Sequence, residues 1–373
     1  MAHMHEELVM DAEQHARAET QHEGLLELIE GTPHGVRERD PRFFRVLVNL
    51  SNALKKHLGD SPYATRIQGE RIPMGKRDVI YPDAVVIEDS DAGRAPRLVI
   101  EILSSEVDPA ELRRRAAAAK RIPSLVEFAS IDIERRTIAI HHRGSSGDWL
   151  PVSDPAASNF ELLSVGLRAP TATLFEGLDR PEPRLTLKEF LDWDADEETR
   201  YEFIGGRIVA MTAPVLGHVR VSMNLSLAIG LHLRGTTCRC YMANAQLTST
   251  KSGDKFLPDL AVACRKGPDG KQKGLTDALM IVEVQSPSTR RVDRSAKLWA
   301  YRTLPSLKEY VLIEFQKRRI DLHRRETGNH WSLHRYEGEA SLELKSVDLI
   351  VPADEIYFDV AGVDDEGAHQ DDL

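Results

Sequence analysis

Ile122-Pro123-Ser124-Leu125-Val126-Glu127-Phe128 reads against Leu304-Pro305-Ser306-Leu307-Lys308-Glu309-Tyr310, 182 residues further on. Working outward at that offset, Glu101 meets Glu283, Ser104 meets Ser286, His141 meets His323 and Trp149 meets Trp331. Phe160-Glu-Leu-Leu-Ser-Val165 then meets Leu342-Glu-Leu-Lys-Ser-Val347, and Pro170 meets Pro352, without a gap. Upstream the offset shortens by a few residues, as loops allow. Tyr81-Pro82-Asp83-Ala84-Val85-Val86 matches Leu257-Pro258-Asp259-Leu260-Ala261-Val262, Asn49-Leu50-Ser51 matches Asn224-Leu225-Ser226, and Glu27-Leu-Ile-Glu-Gly31 matches Glu202-Phe-Ile-Gly-Gly206. A repeat of this length fixes the architecture as two copies of one domain. The boundary falls in Asp179-Arg180-Pro181-Glu182-Pro183-Arg184, where two prolines and four charges resist regular structure, giving domains 1–180 and 181–373.

The length of 373 residues exceeds what one hydrophobic core supports, and 41% hydrophobic with 29% charged residues suits a globular chain. No apolar run approaches the roughly 20 residues of a membrane helix, and Met1 to His22 lack the apolar stretch of a signal peptide. Cys238, Cys240 and Cys264 cannot form a disulfide framework, and Cys238-Arg239-Cys240 lacks zinc-knuckle spacing. They are expected to pack as ordinary side chains in a reducing cytoplasm. A net charge of −10 argues against coating nucleic acid through a broad basic surface, while leaving room for an enzyme with a local basic rim.

Each copy predicts one element order. In copy two, Thr186 and Glu189 form a capping box for a short helix to Trp193. A strand pair follows around Gly205-Gly206, then a helix from about Val215 to Leu233. Strand-like runs lie near Cys238 to Thr248, Phe256 to Ala263 and Leu279 to Val284, the last apolar enough for burial on both faces. A helix over Arg291 to Thr303, a strand over Glu309 to Glu314 and a hairpin through Lys317 to Trp331 complete an α/β unit: a mixed central sheet flanked by helices. The tail after Val360 is short and acidic.

Two acids interrupt these apolar strands. Asp259 follows Pro258 at the head of Leu260-Ala-Val-Ala, and Glu283 lies within Met280-Ile-Val-Glu-Val-Gln285. Carboxylates beside buried strands cost several kcal/mol without a partner, and a hard divalent ion relieves two of them at once. Asp293, Lys297 and Tyr301 recur every fourth residue and share one helix face. Phosphodiester hydrolysis needs a metal to neutralise charge and acidify a water, and a cation to orient that water. Asp259 and Glu283 are the expected Mg²⁺ ligands (Mn²⁺ as an alternative), with the Val284 carbonyl as a third. Lys297 is the water-orienting cation, and Glu202 an added metal contact or a tuner of Lys297.

Pro258-Asp259, Glu283-Val284-Gln285-Ser286-Pro287-Ser288-Thr289, Asp293, Lys297 and Tyr301 resemble the bacterial restriction endonuclease family within the PD-(D/E)XK phosphodiesterase superfamily. Leu185-Thr-Leu-Lys-Glu-Phe190, Tyr201-Glu202-Phe-Ile-Gly-Gly206 and Leu304-Pro-Ser-Leu-Lys-Glu-Tyr310 fit the same family. The resemblance implies two tandem restriction-endonuclease-like domains and a Mg²⁺-dependent endonuclease acting on DNA. Gln285 stands where the superfamily pattern has its lysine, and the resemblance implies that Lys297 on the following helix has taken that place. Copy one keeps Glu27, Asp83 and Glu101, but Arg115 replaces Lys297 and Ala119 replaces Tyr301. Arginine does not yield a proton, so copy one reads as a degenerate scaffold or pseudo-dimer partner.

Plainer readings stand beside these. Lys297 pairs with Asp293 in a surface i,i+4 bridge of about 0.3–0.5 kcal/mol. His218, replaced by Phe43 in copy one, either touches substrate or, as a lone histidine there more often does, ends or packs the helix. His141, His142, His323 and Arg324 are solvated on a hairpin. Arg290, Arg291 and Arg294 either meet DNA phosphates or form a solvated face, and Lys266 to Lys273 is an exposed basic loop without phosphate-loop spacing. The rival function is a non-catalytic nucleic-acid or protein binding module that retains the fold; a hydrolase of small phosphate esters is a third. An internal pseudo-dimer or a homo-oligomer is compatible with either.

Overall fold

The computed structural model describes residues 26–29, 32–35, 40–68, 70–73, 78–90, 93–104, 109–154, 157–180, 184–194, 200–211, 214–242, 245–249, 252–265, 274–285, 297–327 and 330–360. Its contacts divide the chain into two units, Met1–Tyr201 with Gly206–Met211, and Glu202–Gly205 with Thr212–Leu373. Met1 to His22, the Glu27 side chain, Lys266 to Lys273, Ser286 to Ser288, Arg290, Arg291, Asp293, Arg294 and the acidic tail lie outside the described residues. Among the described residues, no helix is long and apolar enough to cross a membrane.

The first repeat runs β1 (Leu26–Ile29), β2 (Thr32–Gly35), α1 (Pro41–Leu58), β3 (Tyr63–Ile67), β4 (Ile72–Pro73), β5 (Val79–Ile80), β6 (Ala84–Ser90), β7 (Gly93–Leu103), α2 (Pro109–Ala119), β8 (Glu127–Asp132), β9 (Thr137–Arg143), β10 (Trp149–Pro151), β11 (Asn159–Leu162) and β12 (Leu167–Pro170). The second opens with α3 (Leu187–Asp194), β13 (Tyr201–Ile204), β14 (Arg207–Ala210), α4 (Leu216–His232), β15 (Cys238–Met242), β16 (Gln246–Ser249), β17 (Asp254–Phe256) and β18 (Leu260–Cys264). It continues through β19 (Gly274–Leu275), β20 (Met280–Val284), α5 (Leu298–Arg302), β21 (Glu309–Glu314), β22 (Arg319–Arg325), β23 (Trp331–Glu337), β24 (Leu342–Leu344), β25 (Leu349–Val351) and α6 (Ala353–Ile356).

The sheets confirm the duplication strand by strand. One six-stranded sheet has the order β10-β9-β8-β7-β6-β3 and the other β23-β22-β21-β20-β18-β15. Each is mixed: β7–β8 and β20–β21 are parallel, and every other neighbour is antiparallel. The smaller sheets are β2-β1-β5-β4 and β14-β13-β17-β16-β19. The run near Cys238 to Thr248, expected as one strand, splits between the large and small sheets. The run from Phe256 to Ala263 divides at Pro258, which has no N–H to continue a ladder.

β20 is apolar because α4 covers one face of its sheet and α5 the other. Val221, Leu225 and Ile229 pack with Leu260, Val262 and Val282, while Tyr301, Leu304 and Leu307 pack with Ala261, Ile281 and Tyr310. The repeated Pro-Ser-Leu-x-Glu motif is structural. Buried Glu127 accepts from the amides of Leu163 and Ser164 (3.0 and 3.1 Å), and Glu309 accepts from those of Lys345 and Ser346 (3.1 and 3.0 Å). Arg143 binds the carbonyls of Lys120 and Ile122 and lies 4.8 Å from the Trp149 ring; Arg325 binds those of Arg302 and Leu304, 4.7 Å from Trp331.

α3 starts at the expected capping box. The Thr186 amide donates to Glu189 Oε2 at 2.9 Å and the Glu189 amide donates to Thr186 Oγ1 at 3.2 Å. The helix packs on α1, with Arg45 Nη1 2.7 Å from Glu189 Oε1 and Trp193 Nε1 donating to Ser51 Oγ at 3.3 Å.

Two expectations are corrected. Cys238 and Cys264 form a disulfide: antiparallel β15 and β18 set them directly opposite each other, with Cα atoms 3.8 Å apart, a proximity that a sequence separation of 26 conceals. Cys240 alone is free, and burial pushes its thiol up to about 11. The hairpin polar residues are only partly solvated: His141, His142 and His323 are half-buried. Arg324 is buried and donates to Glu309 Oε1 at 2.8 Å, and half-buried His323 stacks on Tyr310 with ring centroids 6.1 Å apart.

Candidate active site

The site forms where β13, β18, β20, α4 and α5 meet within the second unit. Pro258 ends one strand and delivers Asp259 at the head of β18; β18 pairs antiparallel with β20 through Leu260 and Val282. One residue beyond that pair, Asp259 Oδ2 accepts the Val284 amide at 2.8 Å, so the aspartate sits at the peptide that follows Glu283. Glu283 and Glu202 are both buried. The Leu257 amide fixes Glu202 Oε1 at 2.8 Å.

Lys297, at the head of α5, is buried rather than paired at the surface. Its Nζ lies 2.9 Å from Glu202 Oε2 and 3.1 Å from Glu283 Oε1. One turn on, Tyr301 donates its hydroxyl to Glu283 Oε1 at 2.8 Å. Burial first, and then the Glu283 and Glu202 carboxylates, hold the phenol protonated well above its ordinary range, so it is a permanent donor. Phe256 and Tyr310 fix its ring, with centroids 4.5 and 5.0 Å away. The structure thus joins Glu202, Glu283 and Lys297 directly, and Asp259 through the Val284 amide.

His218 belongs to this site, although its sequence context suggested a helix-end role. Its Nε2 is 3.2 Å from Asp259 Oδ2. The buried Nδ1 has no hydrogen bond among the described residues. The preceding residue makes the approach feasible: a Cβ on Gly217 would lie 2.7 Å from the Phe315 ring, so only glycine lets this first turn of α4 sit so close. The signal in the sequence was the contrast between copies. Histidine, lysine and tyrosine stand together in the second; Phe43, Arg115 and Ala119 replace all three in the first.

The first repeat preserves the frame without that chemistry. Asp83 Oδ2 accepts the Ile102 amide at 2.7 Å, the same bond one repeat earlier. Arg115 Nη2 binds Glu101 Oε1 at 2.9 Å and the Tyr81 carbonyl at 3.2 Å. Phe43 and Ala119 are buried core residues.

Comparison with known proteins agrees with this double frame. The Uma2 family, described as "Putative restriction endonuclease", matches twice, over residues 12–172 and 187–353. An uncharacterized protein of Synechocystis sp. is 30% identical over 181 residues, 48% of this chain and 95% of that relative. A second from the same organism is 29% identical over 157 residues, 42% of this chain and 89% of the relative. The crystal structure of "a putative nuclease belonging to DUF820" from Anabaena variabilis aligns with a TM-score of 0.40 at 15% identity, covering 46% of this chain and 97% of the other. About half of this chain thus spans nearly the whole of each relative, and the chain belongs to the Uma2 restriction-endonuclease-like family, whose unit it carries twice in tandem.

Proposed function

We propose that the second repeat is a Mg²⁺-dependent endonuclease that hydrolyses phosphodiester bonds of DNA. The observation that carries this reading is a buried ammonium, Lys297, clamped between Glu202 and Glu283 beside an aspartate held at the next peptide. Burying one cation between two carboxylates is a poor way to build stability alone, and clustered titratable groups of this kind mark functional sites.

The donor set fits a hard cation. Two carboxylates hold one ammonium, a third is fixed at the neighbouring peptide, and Asp259 Oδ1 has no hydrogen bond among the described residues. A set of one or two carboxylates suits Mg²⁺, which keeps several waters. Asp259, Glu283 and the Val284 carbonyl would hold it, Mn²⁺ serving in its place. When bound, the metal supplies positive charge against the scissile phosphate and makes a water more acidic.

The chain's own groups do the positioning. Glu202 and Tyr301 hold Lys297 and Glu283 in one geometry, so the ammonium meets the incoming water without reorganising. His218 and the Val284 amide both lie against Asp259 Oδ2, at 3.2 and 2.8 Å, which leaves Oδ1 as the atom that would meet the metal. In the first repeat, Arg115 occupies the cation position and cannot serve as a proton-exchanging amine, so that copy is non-catalytic.

The full chain incubated with supercoiled plasmid and Mg²⁺ is expected to nick it, and Asp259→Ala or Glu283→Ala to stop nicking. Nicking untouched by both substitutions would sink the assignment. Mn²⁺ titration by calorimetry separates the rival binding module, which takes up no metal through these acids. His218→Phe, the first copy's residue, should weaken Mn²⁺ uptake by about tenfold, as outer positioning groups do, with thermal unfolding little changed.

A further inference from the structure

The two repeats act as internal controls for one helix face. In the first unit, α1 carries Arg45, which pairs with Glu189, and Ser51, which accepts from Trp193; Phe44 and Val48 on this helix are 3% and 5% exposed. Where that face continues into solvent it is polar, with Asn52 and Lys56 exposed. Glu176, whose carbonyl accepts from Asn49 on α1, is exposed as well.

The second unit reverses this pattern at the same positions. Val219 and Met223 replace Phe44 and Val48 and are 44% and 43% exposed. Leu227 and Leu231 replace Asn52 and Lys56, yet remain exposed. Phe358 replaces Glu176, with its carbonyl accepting from Asn224 on α4 at 2.8 Å and its ring exposed. With Leu216 one turn earlier, steps of three and four residues make a single stripe along all of α4. Exposed positions on a free surface favour polar residues, and here the polar ones have become apolar.

We propose that this face of α4, with Phe358, docks on the same face of a second copy of this chain, the helices crossing about a two-fold axis. The six side chains expose on the order of 600 Å² of apolar surface, the upper limit for an ordinary monomer patch. Two such faces together pass the roughly 1,000 Å² that a specific interface requires. None of the six is charged, so they offer nothing to select a charged partner. An uncharged face is also where two chains of net charge −10 meet with least repulsion. A self-complementary stripe satisfies a two-fold contact, in which each chain offers the same surface.

Sedimentation velocity of the full chain over a concentration series tests this. The wild-type chain is expected to dimerise, and Met223→Glu and Leu227→Glu each to raise the dimer Kd by at least about a hundredfold, since each buries a charge. Leu150→Glu, on an exposed residue of the first unit, should leave Kd unchanged, and all three variants should keep the wild-type circular dichroism melt. A chain monomeric at every concentration overturns the proposal, as does a dimer whose Kd ignores both α4 substitutions. Slow hydrogen exchange across Leu216–His232 in a monomer also overturns it, because the cover then comes from within the chain.

Discussion

Lys297 is buried between two carboxylates, so its substitution reads on stability as well as on the proposed activity. Lys297→Met removes the cation shared by two buried carboxylates and should lower stability by about 3 kcal/mol or more; denaturant titration reads this directly. Lys297→Arg, which copies Arg115, should keep the ion pairs and the melting temperature yet abolish plasmid nicking, separating charge from the chemistry of an amine. His323 offers a pH test. Burial, and then the nearby Arg302 guanidinium, push it down to about 4 from an ordinary 6.5. Between those values the unfolded chain holds a proton that the folded chain refuses. Stability therefore falls as pH drops from 6.5 towards 4, and His323→Gln should flatten that slope in denaturant midpoints measured across the range. The acids and Lys297 were legible in the sequence because charge inside an apolar run is conspicuous. His218 was not, since a histidine at a helix start looks ordinary until Gly217 and Phe315 are seen to bring it over Asp259.

At the scale of elements, helix and strand order followed directly from pattern, and α4 and β20 lie where periodicity puts them. What pattern could not show was pairing between strands distant in sequence. Cys238 and Cys264 face each other only because β15 and β18 are antiparallel in one register. The single apolar run near Cys238 to Thr248 serves two sheets. The roof that α3 places over α1 was equally hidden, because Leu187–Asp194 reads as the opening of the second repeat. Trp193 is buried there, 5.0 Å from the Tyr201 ring and bonded to Ser51. Trp193→Ala should cost about 3–5 kcal/mol. The loss should appear as faster hydrogen exchange in α1, a first-repeat helix, rather than in α4. Unchanged protection in α1 would show that the roof contributes nothing.

Across the whole molecule, the two repeats share a frame and differ in the side chains set on it. Both repeats keep the sheet order, the aspartate-to-amide bond and the Glu127 or Glu309 anchor, and only the second has the histidine, lysine and tyrosine. Glu283→Gln should therefore eliminate nicking although the first repeat is intact, while Glu101→Gln should leave the rate unchanged; equal losses would mean that both copies work. The docking of α3 on α1 bears on why the two repeats stay joined. A cut at the repeat boundary would take Glu189 away from Arg45 and Trp193 away from Ser51. The linker is therefore no neutral tether: the opening helix of the second repeat finishes the wall of the first, and the seam in the sequence is not the seam in the fold.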